Sequence, residues 1–270
     1  MLFLPSYATR AERVRRLLLL VFVLGVMLLL VAPLFIVPPL SFSKDQFFTF
    51  PIPAYSLHWY RDFFASSRWI AAVFNSVITA AFTAILATVL GTMAALGLVH
   101  PGFPWRRVVM AAVLSPMIVP IVITAVGAYL FYGHFGLVNT RAGLVLAHTA
   151  LAVPFVIITV VATLSTYDTN LTRAARSLGA PPLAGFFRVT LPEIAPGVAS
   201  GAVLAWATSF NEVVVALYLT GPDTRTLPVQ MFSGMRDQIN PTIMAAATML
   251  FVFSTALFAA VILIGAARRK

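Results

Sequence analysis

The chain has 270 residues, of which 60% are hydrophobic and only 10% are charged. Soluble domains carry about 25% charged residues, so a water-soluble fold of this length could not cover so much apolar surface and the bilayer is the expected solvent. The net charge of +10 would suggest nucleic acid in a soluble protein. In a membrane chain basic residues flank the spans, so we expect no nucleic-acid partner. Cysteine is absent, which excludes disulfides and thiolate metal sites.

The first predicted element is an apolar run over residues 17–40, which follows Arg10, Arg13, Arg15 and Arg16. A secretory signal has a hydrophobic region of about 7–15 residues and a small-residue cleavage site. This run is longer, and no clear A-x-A site follows it. We therefore predict a retained first span rather than a cleaved signal.

Six apolar segments are each long enough to cross a hydrocarbon core of about 30 Å. They predict an all-α fold, a polytopic membrane bundle of six transmembrane helices that forms a single domain over residues 1–270. The loop after the first span is predicted to hold a short interfacial helix near residues 57–64, because Trp and Tyr suit a membrane–water boundary. The six segments are 17–40, 70–99, 108–132, 143–165, 196–220 and 241–266, so that the core spans cover about 70–266.

The distribution of Lys and Arg predicts the orientation, because cytoplasmic loops carry the excess of basic residues. An even number of spans places both termini on one side, and that side holds twelve basic residues against six on the other. Both termini are therefore predicted to be cytoplasmic. The twelve are Arg10, Arg13, Arg15, Arg16, Arg106, Arg107, Arg173, Arg176, Arg188, Arg268, Arg269 and Lys270, and the six are Lys44, Arg61, Arg68, Arg141, Arg225 and Arg236.

A polar loop over residues 166–195 separates the fourth and fifth spans. Side-chain oxygens in residues 167–170 predict a helix N-cap. Gly179 predicts the end of that helix, and Pro182 suits the first position of a second short helix. An exposed amphipathic helix of this kind often docks in a partner's groove, so we expect the loop to bind another protein. The simpler alternative is a helix that lies on the membrane surface.

Polar residues inside the predicted spans are candidates for a solute path. Glu212 is the only acidic residue well within a span, where a charge costs about 2.5–3.5 kcal/mol. Either Glu212 lines the path and attracts a cationic solute, or it makes a structural hydrogen bond or lies at an already wet site. Asn211 and Asn75 are the other candidate path residues. Small residues at four-residue spacing in spans two and five predict close helix packing.

The stretch Arg173–Pro192 resembles the Glu-Ala-Ala signature of the permease subunits of binding-protein-dependent ABC importers. Five positions match, and Arg173 stands where that family usually has Glu. The resemblance implies a type I ABC importer permease (MetI-like) fold, in which this loop is the coupling helix seated in a cleft of an ATPase subunit. The matching residues are Ala174, Ala175, Gly179, Leu191 and Pro192, and Ala180 belongs to the same turn.

The resemblance extends from about Trp69 to Phe251 and is strongest toward the spermidine/putrescine-type permeases. The segments Ser209–Ala216 and Thr220–Pro228 carry this closer similarity. They imply a polyamine-like solute, and ferric iron or another small organic solute remains open within the same role. The choice between two copies of this chain and a pair of different permeases also remains open, with a heterodimer expected.

The energy source is expected to be a separate protein. Neither Lys44 nor Lys270 lies in a G-x-x-x-x-G-K-[ST] phosphate-binding loop. The chain is therefore expected to bind no cofactor or metal and to catalyse no reaction. The resemblance implies an ATPase dimer that uses ATP and Mg, a second homologous permease, and an extracytoplasmic solute-binding protein, all at a bacterial inner membrane.

Two other classes of protein remain as alternatives. A secondary transporter driven by an ion gradient often shows internal repeats around charged midplane sites. Glu212 and His148 could relay protons in such a protein, but the sequence shows no repeat and only one embedded acid. An intramembrane enzyme would need a nucleophile and a base held together. Ser209 near Glu212 is the nearest approach to such a site, and in the sequence nothing completes a triad.

Overall fold

A computed structural model describes residues 9–45, 51–100, 102–237 and 241–267. Within these ranges the secondary structure is helical, apart from one isolated bridge between Ser43 and Tyr55, and it contains no strand. The all-α prediction is therefore confirmed. Arg268, Arg269 and Lys270, which contribute to the predicted orientation, lie outside the described residues.

The chain divides into two compact units, one formed by residues 1–65 and 239–253 and the other by residues 66–238 and 254–270. The helices in chain order are α1 Arg10–Ser41, α2 His58–Ala65, α3 Ser67–Val99, α4 Arg106–Ile118, α5 Ile121–Gly133, α6 Arg141–Leu164, α7 Thr169–Ser177, α8 Pro182–Gly185, a π-helical segment Phe186–Thr190, α9 Leu191–Phe210, α10 Val214–Leu219, α11 Leu227–Asp237 and α12 Thr242–Ala267.

The first unit contains α1 and α2. A reciprocal capping box starts α1: Thr9 Oγ1 accepts from the backbone N–H of Glu12, and Glu12 accepts from that of Thr9. The short helix expected near residues 57–64 is α2, and its place at the membrane interface stays a prediction. Buried Trp59 donates from Nε1 to the carbonyl of Ser43 at 2.7 Å, so α2 is fixed to the end of α1.

The second unit is built around α3, α6 and α9, which pack against one another. Small residues make this possible, as expected for helices in a bilayer. A Cβ added at Gly91 would lie 2.7 Å from Val156 Cβ, and one added at Gly201 would lie 2.6 Å from Thr159 Oγ1. The packing role predicted for these small residues is confirmed.

Two predicted spans are broken, which corrects the sequence analysis. The span predicted over 108–132 is two helices, α4 and α5, that bend by 102° at Val119 and Pro120. The cause is local: Pro120 has no N–H, and the residue before a proline is pushed out of the helical region. Val119 accordingly has φ −68° and ψ 134°.

The span predicted over 196–220 also does not continue to its end. Helix α9 stops at Phe210, and α10 begins at Val214. Between them, the side chain of Glu212 bonds backbone N–H groups of the first turn of α10. A side chain that bonds the nearby backbone competes with continuation of the helix, so a new helix starts here.

Among the described residues, four helices are long and apolar enough to cross a membrane: Arg10–Ser41, Ser67–Val99, Arg141–Leu164 and Pro182–Phe210. The bent pair α4 and α5 makes a fifth if it counts as one span. The last predicted span coincides with α12, in which Thr242–Ala256 is a shorter apolar stretch. The chain is thus a helical membrane protein, and the exact count of six spans remains a prediction.

Candidate functional site

The loop singled out by its sequence begins with a well-capped helix. Asp168 Oδ1 accepts from the backbone N–H of Asn170 at 2.9 Å, which caps α7 as predicted. The helix ends in a Schellman motif, because the N–H of Gly179 bonds Arg176 O and that of Ala180 bonds Ala175 O. Gly179 has φ +84°, a conformation that glycine adopts without strain. The predicted turn is confirmed in its geometry.

Hydroxyl groups fix α7 to the helix that follows the turn. Tyr167 Oη lies 2.6 Å from Thr172 Oγ1, and both hydroxyls lie 3.4 Å from Thr190 Oγ1. Thr172 is on α7, whereas Thr190 immediately precedes α9. The three hydroxyls therefore join α7 to the segment that leads into α9.

The second half of the loop is continuous with a core helix. Pro182 starts α8 at its first position, as predicted, and the helix then runs without a break through the π segment into α9. The N–H of Leu191 bonds Phe186 O, five residues back. Pro192 lacks an N–H and its ring would press on the carbonyl four residues back, so a widened turn accommodates it.

The loop presents a mixed apolar and basic surface. Leu178 is 89% exposed, Leu183 is 73% exposed and Phe187 is 61% exposed. Arg173 Nη1 lies 3.4 Å from Asn170 Oδ1, and the side chain is exposed. Of the predicted coupling residues, Arg173, Ala174, Gly179 and Pro192 are exposed, whereas Ala175, Ala180 and Leu191 are half-buried.

The two helix breaks in the second unit face one cavity of about 700 Å³. Residues 116–121, around the α4–α5 break, line one part of it, and residues 211–214, around the α9–α10 break, line another. Both Asn211 and Glu212 are lining residues. Non-helical backbone at membrane depth is tolerated where it is buried in protein or lines a cavity.

Glu212 is held by both of its carboxylate oxygens. Oε1 accepts from the N–H of Val215 and Oε2 from that of Ala216, each at 2.9 Å, and the residue is 7% exposed. Oε2 also lies 3.5 Å from His148 Nε2. The carboxylate therefore caps the N-terminus of α10, where a negative charge is stabilising.

His148 connects Glu212 to Ser209, and the sequence analysis did not predict that these three residues meet. His148 Nδ1 lies 2.8 Å from Ser209 Oγ, so the three residues form a chain of polar contacts. His148 thus completes in space a Ser–His–Glu set that was not expected from the sequence. Ser209 is 4% exposed and His148 is 1% exposed, and a nucleophile needs access to its substrate. The arrangement fits helix packing better than hydrolysis.

Asn75 lies elsewhere, in a set of hydrogen bonds that joins three parts of the second unit. Its Nδ2 donates to Asp223 O at 2.9 Å and to Arg225 O at 3.1 Å, and its Oδ1 accepts from Arg141 Nε at 3.1 Å. These contacts join α3, the loop before α11 and the start of α6. Asn75 is not among the residues that line the 700 Å³ cavity.

The part of the chain that the structure describes contains no group of three His, Cys, Asp or Glu residues placed to hold a metal ion. His134 lies on the surface, with Nδ1 2.7 Å from Leu130 O in its own helix.

Comparison with known families now decides what kind of membrane protein this is. The profile of the family described as the binding-protein-dependent transport system inner membrane component matches residues 87–270. The chain belongs to this family. Membership confirms the resemblance inferred from the loop signature, and with it the expectation of a membrane permease component rather than an enzyme.

Several relatives are similar over most of the chain. The spermidine/putrescine permease PotC of Haemophilus influenzae is 30% identical over 225 residues, which cover 83% of this chain and 87% of the relative. The putrescine permease PotI of Escherichia coli is 33% identical over 228 residues, which cover 82% and 81%. The trehalose permease SugB of Mycobacterium tuberculosis is 31% identical over 186 residues, which cover 68% of each chain.

Solved structures share the fold. A chain of a bacterial ABC transporter that imports the acidic polysaccharide alginate matches with a TM-score of 0.74 at 16% identity, covering 98% of this chain and 99% of that chain. The alginate transporter in complex with its pentasaccharide-bound periplasmic protein matches with a TM-score of 0.68 at 17% identity, covering 94% and 93%. At these identities the likeness shows the fold alone, and it confirms the predicted permease fold.

Proposed function

We propose that this chain is one permease subunit of an ATP-driven importer and forms, with a second related permease, the path of a polyamine-like solute. The observation that carries the proposal is the meeting of two helix breaks at one cavity. Discontinuous helices around a cavity are how transporters place polar groups and free backbone groups at membrane depth. Their hinges also allow the two sides of the path to move relative to each other.

The relatives support the choice of solute. Permeases named for spermidine and putrescine are 28–33% identical to this chain over 82–83% of its length. The carboxylate of Glu212 places negative charge at the cavity, which favours a cationic solute. Asn211 donates through Nδ2 to Ala207 O at 3.0 Å, which leaves its side-chain oxygen to accept from a solute ammonium group. Asn75 affects the solute path only indirectly, through its hydrogen bonds to the loop before α11.

The proposed arrangement places the loop over residues 166–195 and both termini in the cytoplasm. The loop contacts an ATPase subunit, which binds ATP and Mg as one half of a dimer. A solute-binding protein delivers the solute on the opposite side of the membrane. This arrangement is supported by the basic residues that flank the spans and by the exposed surface of α7 and α8. It also agrees with the alginate transporter complex, which contains a periplasmic protein.

Uptake by the reconstituted complex tests the proposal. Proteoliposomes that contain this chain, its permease partner and its ATPase are supplied with the solute-binding protein outside and ATP inside. We expect uptake of labelled putrescine or spermidine that stops without ATP and that trehalose does not inhibit. Uptake that persists without ATP and collapses with a protonophore would instead identify an ion-driven transporter. ATP-driven uptake of ferric iron or trehalose in place of polyamines would overturn the solute assignment alone.

A further inference from the structure

The exposed side of α7 carries basic residues that form no ion pair with the carboxylates in the described part of the chain. Arg173 and Arg176 are three residues apart and therefore lie on the same face of the helix. Arg188, in the π segment, is also exposed. In the described part of the chain, none of these three guanidinium groups forms an ion pair with a carboxylate. Asp168 already caps α7, and Glu193 lies in the first turn of α9.

The same surface carries large apolar side chains. Leu178 is almost fully exposed beside the Gly179 turn, and Leu183 and Phe187 follow on the next short helix. Exposed apolar side chains grouped with arginine are typical of a protein–protein contact. The turn is fixed by its two backbone hydrogen bonds and by the Tyr167 hydroxyl cluster. The surface is thus preorganised and bent, whereas a helix that lies on a membrane presents one continuous apolar face.

Docking of this surface would remove water from the arginines. A guanidinium group buried without a countercharge is strongly unfavourable, so it must meet a carboxylate in the partner. We propose that the basic face of α7, with Arg173 and Arg176 at its centre, selects an ATPase subunit whose docking groove is apolar and rimmed by Asp or Glu. This inference rests on the proposed function, because it specifies the chemistry of the partner that the loop contacts.

Charge-reversal variants in the full complex test the pairing. The Arg173→Glu and Arg176→Glu variants are expressed with the permease partner and the ATPase of the same transport system, and ATPase binding is measured on the complex in nanodiscs. We expect each variant to weaken binding about tenfold, because like charges then face each other in the contact. Raising the salt concentration should weaken binding of the wild type more than that of the double variant.

Two further measurements make the outcome specific. Arg106→Glu is the matched control: this arginine is exposed at the start of α4 and also belongs to the predicted cytoplasmic set, and we expect unchanged ATPase binding. A carboxylate-to-lysine substitution in the ATPase groove should restore binding to Arg173→Glu. That rescue separates a direct contact from a defect in folding or insertion.

The possible failures are distinguishable. If the wild-type chain binds the ATPase and the Arg173→Glu and Arg176→Glu variants bind equally well, the charge pairing is wrong and the proposed function stands. If the wild-type chain binds no ATPase, the proposed function fails as well. If the variants lose binding only in phosphatidylglycerol nanodiscs and not in phosphatidylcholine nanodiscs, the arginines contact the lipid surface and the pairing is again overturned.

Discussion

Glu212 stabilises the break between α9 and α10. Its two oxygens accept from the first free N–H groups of α10, and His148 approaches the same carboxylate from α6. The negative charge is therefore compensated by the N-terminus of α10, and the His148 ring lies beside it. Of the two roles left open by the sequence, the structural one now has explicit partners, and the path role keeps its support from the position of Glu212 at the cavity.

A Glu212→Gln substitution probes both roles. Glutamine keeps one acceptor, but its amide group would face the second N–H, and a hydrogen bond to a charged group is worth about 1.5–3 kcal/mol. We expect solute uptake to fall several-fold while the complex still assembles, as measured by initial uptake rates and size-exclusion chromatography.

Asp223→Asn is the control for this substitution, because the Asp223 side chain is exposed and its backbone carbonyl, rather than its carboxylate, accepts from Asn75. Normal uptake by the Glu212→Gln variant would remove this residue from the transport mechanism.

Sequence reasoning paired Glu212 with His148 and with Ser209 but could not bring the three residues together. Glu212 stands out as an embedded acid, and His148 as a polar residue in a span. Their proximity depends on the depth at which α6 and α9 pack, and no local pattern encodes this for residues 61 positions apart such as His148 and Ser209. Asn75 was predicted from its polarity and its position near the outer end of a span, whereas two of its three hydrogen bonds depend on a loop about 150 residues away.

At the scale of elements, the fit of α9 against α6 depends on the absence of side chains at glycine positions. Alanine in place of a helical glycine usually stabilises by about 0.5–1 kcal/mol. At Gly201 the added Cβ would lie 2.6 Å from Thr159 Oγ1 and 3.0 Å from Val156 Cα. Val156 Cα belongs to the backbone, so moving it away from the added Cβ would cost more free energy than rotating a side chain.

We therefore expect Gly201→Ala to destabilise the protein, because overpacking costs about 1–3 kcal/mol and exceeds the gain in helix propensity. The apparent melting temperature of the purified chain in detergent should fall by several degrees. Gly127→Ala in α5 should leave it unchanged or raise it, since no atom lies within 4 Å of the added Cβ. An equal response of the two variants would contradict the packing described here.

The turn between α7 and α8 makes a separate prediction. At φ +84° a β-branched residue is strained by its own backbone, although open space surrounds the position. We expect Gly179→Val to reduce ATP-driven uptake strongly and Gly179→Asn to reduce it less, because asparagine tolerates the left-handed conformation. Gly185→Ala, also in open space but in a helical conformation, is the control. Unchanged uptake by Gly179→Val would count against a coupling role for the loop.

The breaks in the predicted spans mark the limit of sequence reasoning about elements. Apolar length predicts that residues 108–132 and 196–220 enter the membrane, and the prolines of the first segment are visible in the sequence. Prolines are also tolerated inside straight membrane helices, as in α6, which continues through Pro154. Whether a proline breaks a membrane helix depends on whether neighbouring elements offer hydrogen-bond partners to the backbone groups that the proline frees. The loop over 166–195 was predictable because its caps, glycine and prolines act locally.

At the scale of the whole molecule, the chain is a membrane component of a binding-protein-dependent transport system. The family includes relatives named for polyamines and for trehalose, and the shared fold includes a transporter of an acidic polysaccharide. The fold therefore does not determine the charge of the solute. We propose that the loop over residues 166–195 receives motion from the ATPase and that the broken helices convert it into opening of the path.

Because the chain contains no cysteine, a single introduced cysteine can test that central claim directly. Ser177→Cys, at the exposed end of α7, is compared with Ser67→Cys, at the exposed start of α3, in the assembled complex treated with a cross-linker that joins a thiol to an amine. We predict that Ser177→Cys forms a cross-link to the ATPase whose yield changes with ATP, and that Ser67→Cys forms none. A cross-link from Ser67→Cys, or none from Ser177→Cys in an ATP-hydrolysing complex, would contradict the account.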